Sequence, residues 1–175
     1  MNPTATVTEA RPARQAERAG TSSYASWLEL DDVVLGADVA DRRGAIAIAS
    51  VAVAERHGLD PAPIDRALWR RELAGSTALG HGIAIPHARI DGIARPLTFF
   101  MRPRVAVEFA APDGRPVSDM LVILVPTDGD PDDHLQFLAL VARMFSEGDF
   151  RARLRGADAA ADVRRLFSDA ARRLA

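Results

Sequence analysis

Apolar positions predict a helix early in the folded part of the chain. From residue 38 to residue 57 they recur with helical spacing, although short stretches also alternate as in a strand. The length of the segment favours a helix, with Asp38 as its N-cap and with Gly58 and Pro61 as stop signals. The predicted buried face consists of Ile46, Ala49, Ser50, Val53 and Ala54.

A second, shorter helix is predicted from residue 63 to residue 73. Its large apolar residues Ile64, Leu68 and Trp69 are expected to face inward. Arg71 lies near the end of this helix, so the helix would deliver its guanidinium group to the loop that follows.

Three strands are predicted further along, over residues 83–85, 97–109 and 120–125. The last is an uninterrupted apolar run, which is typical of a central strand that is covered on both faces. The second is expected to be interrupted near Pro103, and beyond it residues 105–109 alternate as in a half-buried strand. Asp113 and Gly114 supply a turn before the third strand.

Three helices are predicted in the last third of the chain. The first begins at Asp132 and Asp133 and places Leu138, Val141 and Phe145 on one face. The others cover about residues 149–154 and 159–174. Because helices are needed on both sides of a central strand, we expect an α/β (α+β) fold: a single mixed β-sheet of about five strands, flanked by helices on both faces.

The first 26 residues have no hydrophobic periodicity and are rich in Thr, Ala, Arg, Pro and Glu. This composition predicts a disordered N-terminal tail, followed by one domain over residues 27–175. No apolar run approaches the roughly 18 residues of a membrane span, and the apolar segment of a signal peptide is missing. We therefore expect a cytoplasmic protein without stable membrane insertion.

Composition excludes several kinds of chemistry. The 175 residues contain no Cys, which excludes disulfides, thiolate zinc sites and cysteine nucleophiles. All 22 basic residues are Arg, so a Walker-type lysine and a Schiff-base lysine are also excluded. The net charge of -2 gives no reason to expect nucleic acid as a partner.

A loop rich in glycine and hydroxyl groups lies between residues 71 and 89. Its glycines would let backbone N–H groups approach an anion, and Ser76 and Thr77 add hydroxyl donors. Arg71 and Arg89 flank the loop with guanidinium groups that match phosphate oxygens. The loop therefore suits the binding of a phosphoryl group.

His87 is the candidate nucleophile of this loop. It follows the predicted strand over residues 83–85 and Pro86, which cannot donate to a sheet ladder, so its imidazole is expected at the lip of a rigid element. Near neutral pH one ring nitrogen of an ordinary imidazole has a free lone pair that can attack phosphorus. The sequence thus predicts phosphoryl transfer through His87.

The run Gly-Ser-Thr-x-x-Gly-x-Gly-Ile-Ala-Ile-Pro-His, which ends at His87 and is preceded by Arg71 and Glu72, resembles a known active-site signature. It is similar to that of the bacterial phosphotransferase-system (PTS) IIA proteins of the fructose, mannitol and nitrogen-regulatory type. The resemblance extends from about residue 28 to near the C-terminus, and it implies the PTS IIA mannitol/fructose-like fold.

In that family the histidine after Ile-Pro accepts a phosphoryl group from a histidine-containing phosphocarrier protein (HPr or a nitrogen-type paralogue). The group then passes to a IIB domain, or its presence is sensed by a regulatory target protein. The resemblance assigns the acceptor role to His87, with His134 and Arg71 as active-site partners and Ser76 and Thr77 as phosphoryl-binding residues. It implies a transferase-like phosphohistidine intermediate with no metal and no organic cofactor.

The other histidines need separate interpretations. His81 stands where many members of the family have Asn, so it either replaces a hydrogen-bonding amide or adds a titrating group to the phosphoryl-binding loop. His134 falls in the first turn of a predicted helix, where the dipole disfavours an imidazolium and favours a neutral N–H donor. His57 lies at a predicted helix C-terminus and is interpreted as structural.

Several functions remain open. With no IIB or IIC segment attached, both a nitrogen-type regulatory IIA and a sugar-specific (fructose/mannitol) IIA that feeds a separate IIB/IIC permease are compatible with the sequence, and the regulatory interpretation is preferred. A metal-dependent hydrolase using His81, His87 and His134 with Asp132 or Asp133 is disfavoured by the absence of an HExxH-type helix pair. A phosphorylation-independent regulatory binding module is disfavoured by the intact signature.

Overall fold

The computed structural model of this chain describes residues 32–174, so the predicted tail over residues 1–26 lies outside the described part. The strands, in chain order, are β1 (Asp32–Ala37), β2 (Ala78–Gly80), β3 (Ile83–Ala84), β4 (His87–Ile90), β5 (Leu97–Pro103) and β6 (Asp119–Pro126). The helices are α1 (Arg42–His57), α2 (Pro61–Leu73), α3 (Pro131–Ser146), α4 (Gly148–Arg155) and α5 (Ala160–Leu174).

Strand β6 lies at the centre of the sheet. It runs antiparallel to β5 on one side, and on the other it pairs in parallel first with β3 and then with β4. Strand β1 extends the sheet in parallel beyond β5, and β2 extends it antiparallel beyond β3. This six-stranded mixed sheet confirms the predicted fold class, with one strand more than expected.

Side chains of β5 and β6 alternate between two cores, one on each face of the sheet. Phe99 and Val122 pack with α1 and α2, whereas Phe100 and Ile123 pack with α3, α4 and α5. All four are fully buried, and burying each apolar side chain stabilises the fold by roughly 1.5–3 kcal/mol. The prediction that residues 120–125 form a central strand covered on both faces is confirmed.

The two N-terminal helices begin at other residues than predicted. The N-cap of α1 is Asp41, whose side chain accepts from Gly44 N at 2.7 Å, so the prediction of Asp38 was wrong. Pro61, expected to stop the first helix, is instead the first residue of α2, where its missing N–H is not needed. The predicted buried face of α1 and the inward position of Ile64 are confirmed.

The predicted strand over residues 97–109 was wrong beyond Pro103, where β5 ends. Val105 is 71% exposed, and Val107 pairs only with Val117 in an isolated bridge. Val107 and Phe109 are nevertheless buried, so their alternation reflects packing of an irregular segment against the core. Periodicity alone could not distinguish a half-buried strand from an irregular segment that packs against the core.

Pro86 interrupts pairing with β6 without ending it. Strand β3 stops before the proline, whose carbonyl accepts from Ile123 N at 2.9 Å, and β4 then resumes the parallel ladder at His87. Three strands, β1, the short β2 and β4, were not predicted. Among the described residues no helix is both long and apolar enough to cross a membrane.

Candidate functional site

His87 is held at the start of β4 by a hydrogen bond to its own chain. Its Nδ1 lies 2.8 Å from the carbonyl oxygen of Ile85, two residues earlier. A carbonyl oxygen only accepts, so the geometry assigns the proton to Nδ1 and leaves a lone pair on Nε2. The half-buried ring therefore has one fixed nitrogen and one nitrogen able to act as a nucleophile.

Arg71 lies in the last turn of α2 and reaches this second nitrogen. Its Nε donates to His87 Nε2 at 3.1 Å, and its Nη1 donates to the carbonyl oxygen of Gly75 at 2.8 Å. A guanidinium group has no acceptor, so this contact requires an unprotonated Nε2 and agrees with the tautomer that Ile85 selects. The guanidinium group of Arg71 thus lies at the loop, where the predicted helix was expected to deliver it.

His134 lies in the first turn of α3, and the centroid of its ring is 6.0 Å from that of His87. The helix is capped by Asp130, whose side chain accepts from Asp132 N at 2.9 Å. Nδ1 of His134 is buried and has no hydrogen-bond partner among the described residues. The two imidazoles thus share one site, although within residues 32–174 no bond to Nδ1 fixes the tautomer of His134 as Ile85 fixes that of His87.

Both rings are held in their neutral form near pH 7. Burial lowers the pKa of His87 from its ordinary value, and the positive charge of Arg71 lowers it further against the opposing effect of the Ile85 carbonyl. Burial also lowers the pKa of His134, with further contributions from His87 and Arg89. The site therefore presents neutral imidazoles among permanent positive charges.

A cleft of about 460 Å³ opens over the two histidines. Its walls carry arginines, histidines and alanines, and no carboxylate: Ala67, Arg70, Arg71, Ala74, His87, Ala88, Arg89 and His134. The alanines leave room above the rings, and the arginines supply donors and positive charge. Such a surface is complementary to an anion with several oxygens.

Ser76 and Thr77 use their hydroxyl groups within the loop. Thr77 is buried, and its Oγ1 donates to Glu72 Oε2 at 2.6 Å. The Oγ of Ser76 donates to the carbonyl oxygen of Phe109 and accepts from Ala78 N at 3.2 Å. Both hydroxyls therefore hold the loop in shape, and neither lines the cleft over His87.

His81 and Arg89 occupy different surroundings. His81 is exposed in the turn between β2 and β3, where its backbone N–H donates to Asp113 Oδ2 at 2.7 Å, and it does not line the cleft. Arg89 lines the cleft, and its Nη1 donates to the carbonyl oxygens of Thr127 and Gly129 at 3.2 and 3.3 Å. The structure thus brings together His87, His134, Arg71 and Arg89.

Sequence reasoning missed Arg70 and the burial of Glu72. Arg70 lines the cleft beside Arg71, and adjacent arginines at a helix end were the available signal. Glu72 directly follows Arg71 ahead of the signature, but its burial depends on tertiary packing. Within residues 32–174 no group of three or more His, Asp or Glu could hold a metal ion, so the hydrolase alternative has no ligand set there.

The family of the chain follows from its sequence. The model of the family described as phosphoenolpyruvate-dependent sugar phosphotransferase system, EIIA 2, matches residues 26–170. The chain therefore belongs to the PTS EIIA type 2 family, as the resemblance predicted.

Individual relatives agree with this assignment. A nitrogen regulatory protein from Pseudomonas aeruginosa is 37% identical over 122 residues, which is 70% of this chain and 79% of the relative. A PTS fructose-specific EIIA component from Haloferax volcanii is 35% identical over 59% of this chain and 66% of the relative. The crystal structure of nitrogen regulatory protein IIA-Ntr from Neisseria meningitidis has a TM-score of 0.72 at 33% identity, covering 81% of this chain and 94% of that one.

Proposed function

We propose that this protein is a phosphoryl carrier of the phosphotransferase system, and that Nε2 of His87 accepts the phosphoryl group from a histidine-containing phosphocarrier protein. The observation that carries the proposal is the pair of hydrogen bonds on the His87 ring. Ile85 holds the Nδ1 proton, and Arg71 donates to the Nε2 lone pair beneath an arginine-rich cleft. A nucleophile, a fixed tautomer and an anion-binding surface thus occur together.

The transfer needs no proton to move on this chain. The lone pair of His87 Nε2 forms a bond to phosphorus while the bond from phosphorus to the donor histidine breaks, and that electron pair returns to the donor ring. His87 keeps its Nδ1 proton throughout. Positive charge that develops on the ring is stabilised by the Ile85 carbonyl, which already accepts from Nδ1 at 2.8 Å.

Arg71 has two tasks in this mechanism. Before transfer it donates to Nε2, and during transfer it exchanges that bond for bonds to phosphoryl oxygens. Arg89 and neutral His134 lie in the same cleft and complete the set of donors around the oxygens. Ser76 and Thr77 contribute to phosphoryl binding indirectly, because their hydroxyls stabilise the loop that carries Arg71's partner Gly75. His81 likewise contributes through the turn between β2 and β3 that it occupies.

Phosphorylation from phosphoenolpyruvate through purified enzyme I and phosphocarrier tests the proposal. We expect one acid-labile phosphoryl group, followed by intact mass, on the wild type and none on His87→Ala. His57→Gln is the matched control, since it changes a histidine at the end of α1, away from the cleft, and should leave uptake unchanged. Absence of uptake by the wild type from any such donor would favour the binding-module alternative.

For the fate of the phosphoryl group we propose regulation of a target protein. The support is the similarity to nitrogen regulatory proteins at 37% identity over 70% of this chain. The fructose-specific relative at 35% identity supports the second candidate, a sugar-specific IIA. Mixing phosphorylated protein with a purified fructose-type IIB domain separates them: we expect a sugar-specific IIA to transfer its phosphoryl group to the IIB domain and a regulatory IIA to retain it.

A further inference from the structure

Glu72 is a carboxylate inside the protein, next in sequence to Arg71. Its side chain is fully buried at the end of α2, where a carboxylate is costly unless it is paired. Oε2 accepts from both the backbone N and Oγ1 of Thr77, at 3.0 and 2.6 Å. Oε1 accepts from Nη1 of Arg42 on α1 at 3.3 Å. The carboxylate thus joins two helices to the loop.

A chain of hydrogen bonds leads from Glu72 to the fixed nitrogen of His87. Thr77, held by Glu72, accepts at its carbonyl oxygen from Ile85 N at 3.0 Å. The carbonyl oxygen of Ile85 in turn accepts from His87 Nδ1 at 2.8 Å. Each bond fixes the position of the next group, so the buried carboxylate helps to hold the Ile85 carbonyl oxygen in line with Nδ1.

A second connection leads from Glu72 to the other nitrogen of His87. The bonds from Thr77 to Glu72 close the loop over residues 73–76, which contains the carbonyl oxygen of Gly75. That oxygen accepts from Arg71 Nη1, and this contact aims Arg71 Nε at His87 Nε2. If Glu72 no longer held Thr77, the two hydrogen-bond partners of the His87 ring, the Ile85 carbonyl and the Arg71 guanidinium, would both lose their fixed positions.

We propose that Glu72 is the positioning residue of the phosphoryl site, because its buried carboxylate holds the loop that orients both nitrogens of His87. This inference deepens the proposed function and rests on it. Glu72 does not line the cleft, so it acts through Thr77, Ile85 and Arg71 rather than on the phosphoryl group. Displacements of about 1 Å at such a site are enough to reduce a rate by roughly 100-fold.

Glu72→Met tests the proposal, with Glu72→Gln as the conservative variant. Met removes both carboxylate oxygens and leaves only a weakly accepting sulfur, whereas the amide oxygen of Gln can still accept both bonds from Thr77. Asp65→Asn is the matched control, because Asp65 also pairs with an arginine of α1, Arg43, from a position outside the loop and the cleft. Unfolding in urea is measured for all three, to give the folded fraction.

Two readouts are needed. Nitrogen-15 NMR of the unphosphorylated proteins reports the tautomer of His87 and does not depend on any donor. We expect Glu72→Met to lose the pure Nδ1–H signature and to take up phosphoryl groups about 30-fold more slowly at an unchanged donor KM, since the misplacement acts on the transfer step. Glu72→Gln should keep the signature and remain within about fivefold of the wild type, because its amide oxygen still holds Thr77.

The inference is overturned if folded Glu72→Met keeps the wild-type tautomer and rate, or if Asp65→Asn alters the tautomer equally. Should Glu72→Met fail to fold, Thr77→Val removes only the 2.6 Å bond, and it must then shift the tautomer and rate in the same direction. Failure of the proposed function itself would be seen separately, as a wild type with the expected tautomer and no phosphoryl uptake from any donor.

Discussion

Arg71 donates from Nε to Nε2 of His87 at 3.1 Å, so the guanidinium occupies the lone pair to which phosphorus would bind. The same contact excludes a proton from Nε2, because two donors cannot face each other. Arg71 therefore keeps the nucleophile available and must move aside as the phosphoryl group arrives. Its second bond, to the carbonyl oxygen of Gly75, keeps the group close while it does so.

Replacing Arg71 with Gln should reduce phosphoryl uptake by about 100-fold, the usual effect of removing one donor from developing negative charge. Arg71→Lys should recover only part of this loss, since a point charge cannot contact Nε2, Gly75 and phosphoryl oxygens as a planar fork can. Stopped-flow or quench-flow uptake from the phosphocarrier measures both rates. Arg66→Gln, on the exposed side of the same helix, should retain the wild-type rate.

The pH dependence of uptake follows from the lowered pKa of His87. Burial is the main cause, and the charge of Arg71 adds to it, so the reactive neutral ring persists below the ordinary pKa of about 6.5. We expect a rate that is constant from pH 8 to about 6.5 and falls only in more acidic solution. A rate that already falls between pH 8 and 7 would contradict this.

The free energy of unfolding should depend on pH through His87 and His134. The unfolded chain binds protons to His87 and His134 as pH falls through about 6.5, whereas the folded protein, with both pKa values lowered, binds them only at lower pH. Their contribution is therefore complete above pH 6.5 and is lost as the solution becomes more acidic. Urea titrations between pH 8 and 5 should give a shallower slope for the double variant His87→Phe/His134→Phe than for the wild type.

The parts of this site that are close together in sequence could be predicted, and the parts that tertiary packing brings together could not. His87, Arg71 and the loop lie within 17 residues, so spacing alone placed them together. His134 comes from a distant helix, and only the family resemblance associated it with His87. The direction of the Ser76 and Thr77 hydroxyls was beyond prediction, because their partners, Phe109 and Glu72, are set by tertiary packing.

The fold was predictable where burial is complete and less so elsewhere. Strand β6 is apolar at six successive positions and was located from that pattern alone. Residues 105–109 alternate as a strand does, yet they form an irregular segment whose Val107 and Phe109 are buried against the core. The alternating pattern was therefore misleading there. The start of α1 was predicted at the wrong residue because Asp38 and Asp41 are equally good N-caps by sequence, and only the structure shows that Asp41 is the one used.

His134→Phe should reduce phosphoryl uptake without reducing the free energy of unfolding. Nδ1 of His134 is buried without a partner in the described structure, and an unsatisfied buried group costs about 1–3 kcal/mol. A ring without polar atoms removes that cost, so we expect a free energy of unfolding equal to or above that of the wild type. Phosphoryl uptake should nevertheless fall, by about 10-fold or more, because a donor to the phosphoryl oxygens is lost.

His134→Gln provides the comparison, since its amide can donate to a phosphoryl group but adds polar atoms to the same buried position. It should retain more activity than Phe and be less stable. Urea unfolding and uptake from the phosphocarrier are measured on each variant. A phenylalanine variant that loses stability in proportion to its activity would indicate a purely structural histidine.

Gly82 holds the turn before β3 in a conformation that other residues rarely adopt. Its φ is +81°, and a Cβ there would lie 3.0 Å from Ser118 Oγ, so Gly82→Ala combines backbone strain with a close contact. Gly92 has nearly the same φ, +80°, with nothing within 4 Å of an added Cβ. We expect Gly92→Ala to lose about 1 kcal/mol of unfolding free energy and Gly82→Ala clearly more.

Ser118→Ala, alone and in the Gly82→Ala background, separates the contact from the strain. The single variant is needed because the Ser118 hydroxyl also donates to the Gly82 carbonyl oxygen and to Asp119 Oδ2. Relative to Ser118→Ala alone, Gly82→Ala should then cost about as much as Gly92→Ala does in the wild type, since only the strain remains. Equal destabilisation of the Gly82 and Gly92 variants in the wild-type background would mean that Ser118 moves aside without loss, and urea unfolding measures all these proteins under one set of conditions.

Arg102 joins the sheet to the C-terminal helices from a largely buried position. Its Nε donates to Asp119 Oδ1 at 2.8 Å, and its Nη groups donate to the carbonyl oxygens of Leu154 and Ala157 at 2.6 and 2.7 Å. The side chain of Asp119 is 1% exposed. Arg102→Met removes the charge partner of this carboxylate and the guanidinium donor of both carbonyls, and it should lower the free energy of unfolding by about 3–5 kcal/mol.

Two comparisons distinguish the loss of the buried charge partner from the loss of packing. Adding Asp119→Asn to Arg102→Met removes the unpaired charge, so the double variant should be more stable than the single one. Arg172→Met breaks an exposed pair with Asp169 on α5 and should change stability by less than about 1 kcal/mol. If the double variant were no more stable than Arg102→Met, the arginine would act through its contacts to α4 rather than through Asp119.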